Sequence, residues 1–276
     1  MARPVSPTGG TWEVRFGTAE LVRDLDRPAG WMLLVDGTPQ SYIDTEDPTF
    51  LEFEYVRLLA DVIEATNPVD QPIRAVHLGG GGCTLARYLA ATKPGSTQVV
   101  VEADELLVEV VRTQLGTRGF RLRVGDGREA LAHLTPGTSD VVVADVFVGA
   151  QVPSHFATVD YVREVEQVLT PDGVFVANVA DSGSLSFSRG QVANLAAVFE
   201  HVVVLADPGL LRGRRFGNLV LAASHRPFPL DELRHVTARS IGRARVESQD
   251  TFVRGERTTS DADPPVAPVP PANLFG

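Results

Sequence analysis

At 276 residues, with 43% hydrophobic and 22% charged side chains, the chain has the make-up of a globular protein, long enough for one large α/β domain and a small appendage. The formal net charge of -10 argues against nucleic acid as a bulk electrostatic partner, and the single cysteine, Cys83, excludes an internal disulfide and a cysteine-built zinc site. No apolar run reaches membrane-spanning length and MARPVSPTGG lacks the apolar core of a leader, so the expectation is a cytoplasmic protein without a membrane partner.

Residues 1–10 carry Pro and Gly and are expected to be disordered. Residues 11–49 are expected to form an N-terminal β-hairpin domain. TWEVRFGTAELVRDL alternates, and GWMLLVDGTPQSYI sets Asp36-Gly37, a hairpin turn pair, between apolar runs. Asp47-Pro48 stops it. Leu51, Tyr55, Leu58, Leu59 and Val62 then predict an amphipathic helix over 50–64, which leads into a Rossmann-like catalytic domain over 50–225.

The next stretch, IRAVHLGGGGCTLAR over 73–87, organises the chain. A short apolar run breaks into four glycines, Gly79 to Gly82, and resumes with helical spacing at Leu85, Tyr88 and Leu89. That is a first strand, a tight turn and a helix start. Glycines let the backbone lie close to a ligand, and the helix start offers unpaired N–H groups. A second apolar run, 98–101, ends in Glu102, placed to take the hydroxyls of a ribose. Together these predict a nucleoside site. The dinucleotide fingerprint wants a third glycine where this chain has Thr84, so NAD is the weaker choice beside a sulfonium nucleoside such as S-adenosylmethionine.

Further on, a helix over 103–115, a strand over 120–124 and the turn Gly125-Asp126-Gly127 are expected, with the turn at the strand end where α/β sheets bind ligands. A helix over 128–134 leads to Ser139-Asp140, an apolar strand over 141–144, and Asp145. A helix over 159–169, the turn Pro171-Asp172-Gly173, a strand over 174–179 and a helix over 188–199 follow. The last strands, 201–206 and 216–223, are joined too tightly for a helical crossover and should pair antiparallel. The fold class is therefore α/β: a Rossmann-like, class I methyltransferase-type doubly wound sheet with a terminal antiparallel hairpin, plus the small N-terminal β-appendage. Residues 226–253 read as a C-terminal helical extension and 254–276 as a Pro-rich disordered tail.

In this order the motifs resemble those of the spermidine synthase (polyamine aminopropyltransferase) family, over roughly residues 11–225. Leu34-Val35-Asp36-Gly37 with Gln40 is similar to that family's N-terminal hairpin. Gly79-Gly80-Gly81 resembles the start of its glycine loop, with Arg87 in register. Val101-Glu102-Ala103-Asp104 resembles its ribose segment, Gly125-Asp126-Gly127 its adenine-side turn, and Ser139-Asp140 with the following strand and Asp145 its catalytic segment. The resemblance implies an aminopropyl group moved from decarboxylated S-adenosylmethionine to a small-molecule amine, with methylthioadenosine leaving. Asp145 would be the catalytic acid. Gln40, Gly79, Gly80, Gly81, Glu102, Asp126 and Gly127 would bind the donor, and Tyr55, Phe147 and His155 would line the acceptor side. It further implies a homodimer or higher homo-oligomer; no cluster has metal-ligand spacing, so no metal is expected.

Three departures matter. Gly82 stands where the family has Asp, Val148 stands where it has the second Asp after the fourth strand, and Tyr55-Val56-Arg57 keeps only the Tyr of Tyr-His-Glu. Losing an ion partner for a desolvated ammonium costs on the order of 2–5 kcal/mol. Gly82 is expected to leave room, and Arg57 to supply a positive charge, so that intact S-adenosylmethionine or methylthioadenosine could bind. Methyl transfer, or nucleoside binding without chemistry, is thus the alternative reading. His155 is a second base or an exposed loop histidine; Phe147 and Phe156 line a pocket or pack in the core. Cys83 and His77 read as buried residues, and Arg212-Gly213-Arg214-Arg215 as a solvated turn.

Overall fold

The computed structural model describes residues 6–68, 70–240 and 243–271. The chain opens with a four-stranded antiparallel sheet of β1 (Gly10–Val14), β2 (Gly17–Arg23), β3 (Gly30–Val35) and β4 (Thr38–Asp44), paired in that order. Asp36 and Gly37 both take positive φ, 48° and 73°, as a two-residue turn between right-twisted strands requires. In β4 the register slips between Leu33↔Ser41 and Leu34↔Pro39, which leaves Gln40 as the bulged residue with no partner opposite.

Helix α1 (Glu54–Thr66) then leads to a repeating strand–helix series. β5 (Arg74–Leu78) and α2 (Thr84–Thr92) are followed by β6 (Thr97–Glu102) and α3 (Glu105–Val110), which runs on as a π-helical turn. β7 (Arg121–Val124), α4 (Gly127–Leu131), β8 (Ser139–Ala144), α5 (Val159–Val168), β9 (Leu169–Asp181) and α6 (Ser186–Ala196) continue it. β10 (His201–Ala206) and β11 (Gly217–Ser224) close the series, joined by the one-turn α7 (Pro208–Leu211). The Pro171-Asp172-Gly173 turn lies inside β9 as an irregularity, since Ser139 pairs with Leu169 and Val141 with Val174.

β5, β6, β7, β8 and β9 are parallel, and β11 is antiparallel to both β9 and β10. β5 lies between β6 and β8, so the chain runs outward from it in opposite directions. That switch point opens a crevice beyond the carboxyl ends of β5 and β8, where doubly wound sheets bind ligands. Apolar clusters cover both faces: Val76, Leu78, Val142 and Ala144 pack under α5 and α6, and Ala75, Val141 and Val143 under α1. A third cluster joins Leu21, Leu33 and Ile43 of the small sheet to Cys83, Ala86 and Leu107. Among the described residues no helix is long and apolar enough to cross a membrane.

The C-terminal part departs from expectation. After α8 (Leu230–Thr237), β12 (Arg245–Ser248) pairs antiparallel with β10 and extends the large sheet, and α9 (Gln249–Phe252) follows, so 226–253 is not a purely helical extension. β10 would otherwise present an open row of N–H and C=O groups, and a four-residue strand is enough to cover part of it. Residues 254–271 lie against the domain, with Ala267 only 5% exposed, rather than forming a free tail. Their anchors are polar side chains far away in sequence, including Arg128 and Asn194. At the other end Thr8, inside the stretch expected to be disordered, donates its amide to Gln114 Oε1 at 3.1 Å, and residues 1–5 and 272–276 fall outside the described residues.

The small sheet is fastened to the glycine turn. Gly82 donates its buried amide to Ser41 Oγ at 2.9 Å, and Thr84 Oγ1 donates to the Tyr42 carbonyl at 2.9 Å. Ser41→Ala leaves that amide without an acceptor, and an orphaned buried donor costs about 1–3 kcal/mol. Urea unfolding of Ser41→Ala is expected to show a loss of that size, with an unchanged denaturant slope.

Candidate active site

The glycine turn between β5 and α2 is shaped by what crowds it. Gly79 has φ +86°, and a Cβ there would lie 2.1 Å from the Asp145 carbonyl oxygen. The segments leaving β5 and β8 can therefore touch only because residue 79 has no side chain. Asp145 in turn donates its amide to the Leu78 carbonyl at 2.9 Å, carrying the ladder one step past the strand end.

Glu102, at the end of β6, faces this turn. Its Oε2 accepts from the amides of Gly80 and Gly81, at 2.9 and 3.1 Å, and its Oε1 from Asp104 at 3.0 Å. The turn amides expected to be unpaired are thus held by the acid itself. A carboxylate offers about four acceptor positions, so Oε1 keeps capacity for one hydroxyl donor.

Position 82 corrects the expectation of open space. A Cβ on Gly82 would lie 2.5 Å from Ile43 Cδ1 and 2.9 Å from Ser41 Cβ. β4 fills the volume that a carboxylate would need. Arg57 does not reach the turn either: it donates to Tyr88 Oη at 3.2 Å and to the Thr49 carbonyl at 3.1 Å. Cys83 caps α2 in the left-handed region, φ 60°, and burial pushes its thiol up to about 12, so it is no nucleophile.

Asp145 lies across the turn from Glu102. Asn178 Nδ2 donates to its Oδ1 at 2.9 Å, and the Tyr55 hydroxyl is hydrogen-bonded to the same carboxyl. Burial pushes the Asp145 carboxyl above its ordinary range, the bonds from Asn178 and Tyr55 pull it down, and the charge of Glu102 adds to the rise. Burial also raises the Tyr55 phenol well above its usual range, helped by the Asp145 charge. Phe53 stacks on Tyr55 with ring centroids 6.0 Å apart. A cavity of about 30 Å³ lies among Ser41, Tyr55, Gly79, Gly80 and Asp145. His77 borders it as well, neutral, its pKa lowered by burial to about 4 and its Nε2 3.0 Å from Gln98 Oε1.

On the far side of the switch point, Asp126 caps α4 through Oδ1, accepting from Arg128 at 2.8 Å and Glu129 at 3.0 Å. Its other oxygen, Oδ2, lies 3.1 Å from His155 Nε2. Gly127 allows α4 to start against Leu78 and Phe156, whose atoms would lie 3.0 and 3.3 Å from a Cβ there. Phe156 is buried and Phe147 half-buried on the same core, and Val148 is 51% exposed beside its bridge to Gln151.

Glu102, Asp145, Tyr55 and the glycines thus share one crevice, and His155 joins Asp126 at the neighbouring turn. Among the described residues no side-chain hydrogen bond is made by Gln40, which is the bulge of β4 next to Ser41. Three residues that the sequence did not single out are built into the site: Asn178, Ser41 and Ile43. Asn178 could have been found as the one amide near the carboxyl end of the apolar run GVFVANVAD. No group of three or more His, Cys, Asp or Glu side chains among the described residues is placed to hold a metal ion.

The same region carries the likeness to known proteins. The Spermine/spermidine synthase domain matches residues 52–208, more than half of the chain. The chain belongs to that family. The crystal structure of a probable spermidine synthase from Corynebacterium glutamicum is similar to it with a TM-score of 0.87 at 34% identity, over 93% of this chain and 97% of that one. A polyamine aminopropyltransferase from Chromobacterium violaceum is 29% identical over 145 residues, which are 51% of this chain and 54% of that protein. The chain thus spans about half the length of the curated relatives it matches. Human methyltransferase-like protein 13, in complex with SAH, shares the fold with a TM-score of 0.54 at 22% identity, over 75% of this chain and 94% of that one. The large sheet is accordingly the Rossmann-like, class I methyltransferase-type fold.

The folded Asp145 carboxyl holds its proton more tightly than the unfolded one. It therefore adds stability that is fully present below its ordinary 3.8 and is lost as pH rises through the folded value. Asp145→Asn removes that loss. Thermal unfolding across pH should show the variant more stable than the native protein at neutral pH, with the gap closing below about pH 4.

Proposed function

We propose that this family member transfers an aminopropyl group from decarboxylated S-adenosylmethionine to a small-molecule amine. The observation that carries the reading is the placing of Asp145, raised in pKa and oriented by Asn178 and Tyr55, across the glycine turn from Glu102. In this reading Glu102 takes a ribose hydroxyl and Asp126 lies on the adenine side. The amine nitrogen bonds to the propyl carbon beside sulfur while the carbon–sulfur bond breaks. Methylthioadenosine leaves with the electron pair. The proton shed by the amine passes to Asp145 and on to water. Asp145 also aligns the amine, and position and proton acceptance together supply the rate.

A second reading is methyl transfer from intact S-adenosylmethionine. It is favoured by the neutral wall of Ser41 and Ile43 at Gly82, which leaves that place without a carboxylate to hold an ammonium or to repel the carboxylate of the intact donor.

Incubation with each donor and a panel of diamines and polyamines separates the two. Amine-dependent release of methylthioadenosine is expected, and Asp145→Asn should slow it by about 10²-fold or more, the scale of a lost general base. S-adenosylhomocysteine in its place would support the second reading. Release of neither product would overturn both.

A further inference from the structure

Residues 254–271 run past α4, α5, α6 and the 146–158 loop without a helix or named strand of their own, and the proposed reaction gives them no task. Asp261 is their central anchor. Its carboxylate accepts from Arg128 Nη1 and Nη2, at 2.9 and 2.7 Å, and from Thr158 Oγ1 at 2.6 Å. The same guanidinium donates to both oxygens of Glu164, at 2.8 and 2.6 Å, and to the His155 carbonyl at 2.8 Å. Exposed ion pairs contribute little, but the Arg128 side chain is only 14% exposed and forms bidentate pairs with two carboxylates.

The segment also grips the 146–158 loop at two places. The Val159 amide donates to the Thr259 carbonyl at 2.8 Å, just past one end. Gln151 Nε2 donates to the Ala267 carbonyl at 2.6 Å, midway along. Asn194 fixes Thr259 from behind, accepting its amide at 2.8 Å. Between the two grips lies His155, whose ring nitrogen meets the one oxygen of Asp126 not used in capping α4.

We propose that Asp261 is a positioning residue: through Arg128 and Thr158 it holds the 146–158 loop in place, and through that loop's His155 it sets Oδ2 of Asp126 for the nucleoside. This rests on the reading of Asp126 as part of the nucleoside site. The loop is then ordered before ligand arrives, and the ligand meets a preformed wall instead of having to order one.

Amide hydrogen exchange on the full chain tests this, together with calorimetric titration of methylthioadenosine. Asp261→Asn keeps the volume and removes the charge. It should raise exchange across residues 147–157 at least tenfold, leave β5, β6 and β8 within twofold, and weaken methylthioadenosine at least fivefold. Asp261→Glu should recover most of both effects. Gln151→Ala, acting at the other grip, should give the same localised rise. Loop exchange within twofold of the native protein in both Asp261→Asn and Gln151→Ala would overturn the proposal. So would a rise shared equally by the central strands, because that marks lost stability, not lost positioning. A native protein that binds no methylthioadenosine would refute the nucleoside reading instead, and the loop exchange would still decide whether Asp261 holds the loop.

Discussion

Gly79 and the backbone carbonyl of Asp145 stand so close that even a methyl group on residue 79 would overlap it, its carbon lying 2.1 Å from the oxygen. This contact brings the chain leaving β5 against the chain leaving β8 at the point where the sheet changes winding direction. Because of it, the acid of β8 and the acid of β6 face one crevice across a turn made of backbone. Glu102 then braces the turn by accepting two of its amides, and its charge reaches Asp145. The geometry of the crevice and the packing of the strands are here the same constraint.

The crevice is walled by parts that the large sheet does not supply. β4 covers the turn with Ser41 and Ile43, so residue 82 is glycine because another strand sits on it, not because a ligand needs the space. α1 contributes Tyr55 to the Asp145 carboxyl, and β9 contributes Asn178. Around position 82 the result is a neutral, closely packed surface, which separates this chain from the acid-lined pattern its motifs resemble.

Much of this was legible in the sequence wherever a local pattern carries the information. The glycine run between an apolar strand and a helical repeat gave the β5–α2 turn, and the acid ending the next apolar run gave Glu102. Asp36-Gly37 gave the β3–β4 turn, and the short link after residue 206 gave the antiparallel pair. What stayed hidden depends on partners far apart in the chain. Arg128 and Asp261 are 133 residues apart and neither sits in a periodic pattern, so the docking of a Pro-rich segment left no trace. The four residues of β12 are too few to show alternation. Arg57 could be assigned to a helix but not to a direction, and it turns to Tyr88 and Thr49.

The most direct test is a crystal structure of the protein grown with methylthioadenosine. The expected result is a ribose hydroxyl on Glu102, the adenine beside Asp126 and the sulfur end directed at Asp145. A nucleoside bound anywhere else, with Glu102 still closed on Gly80 and Gly81 and the crevice unchanged, would contradict the account.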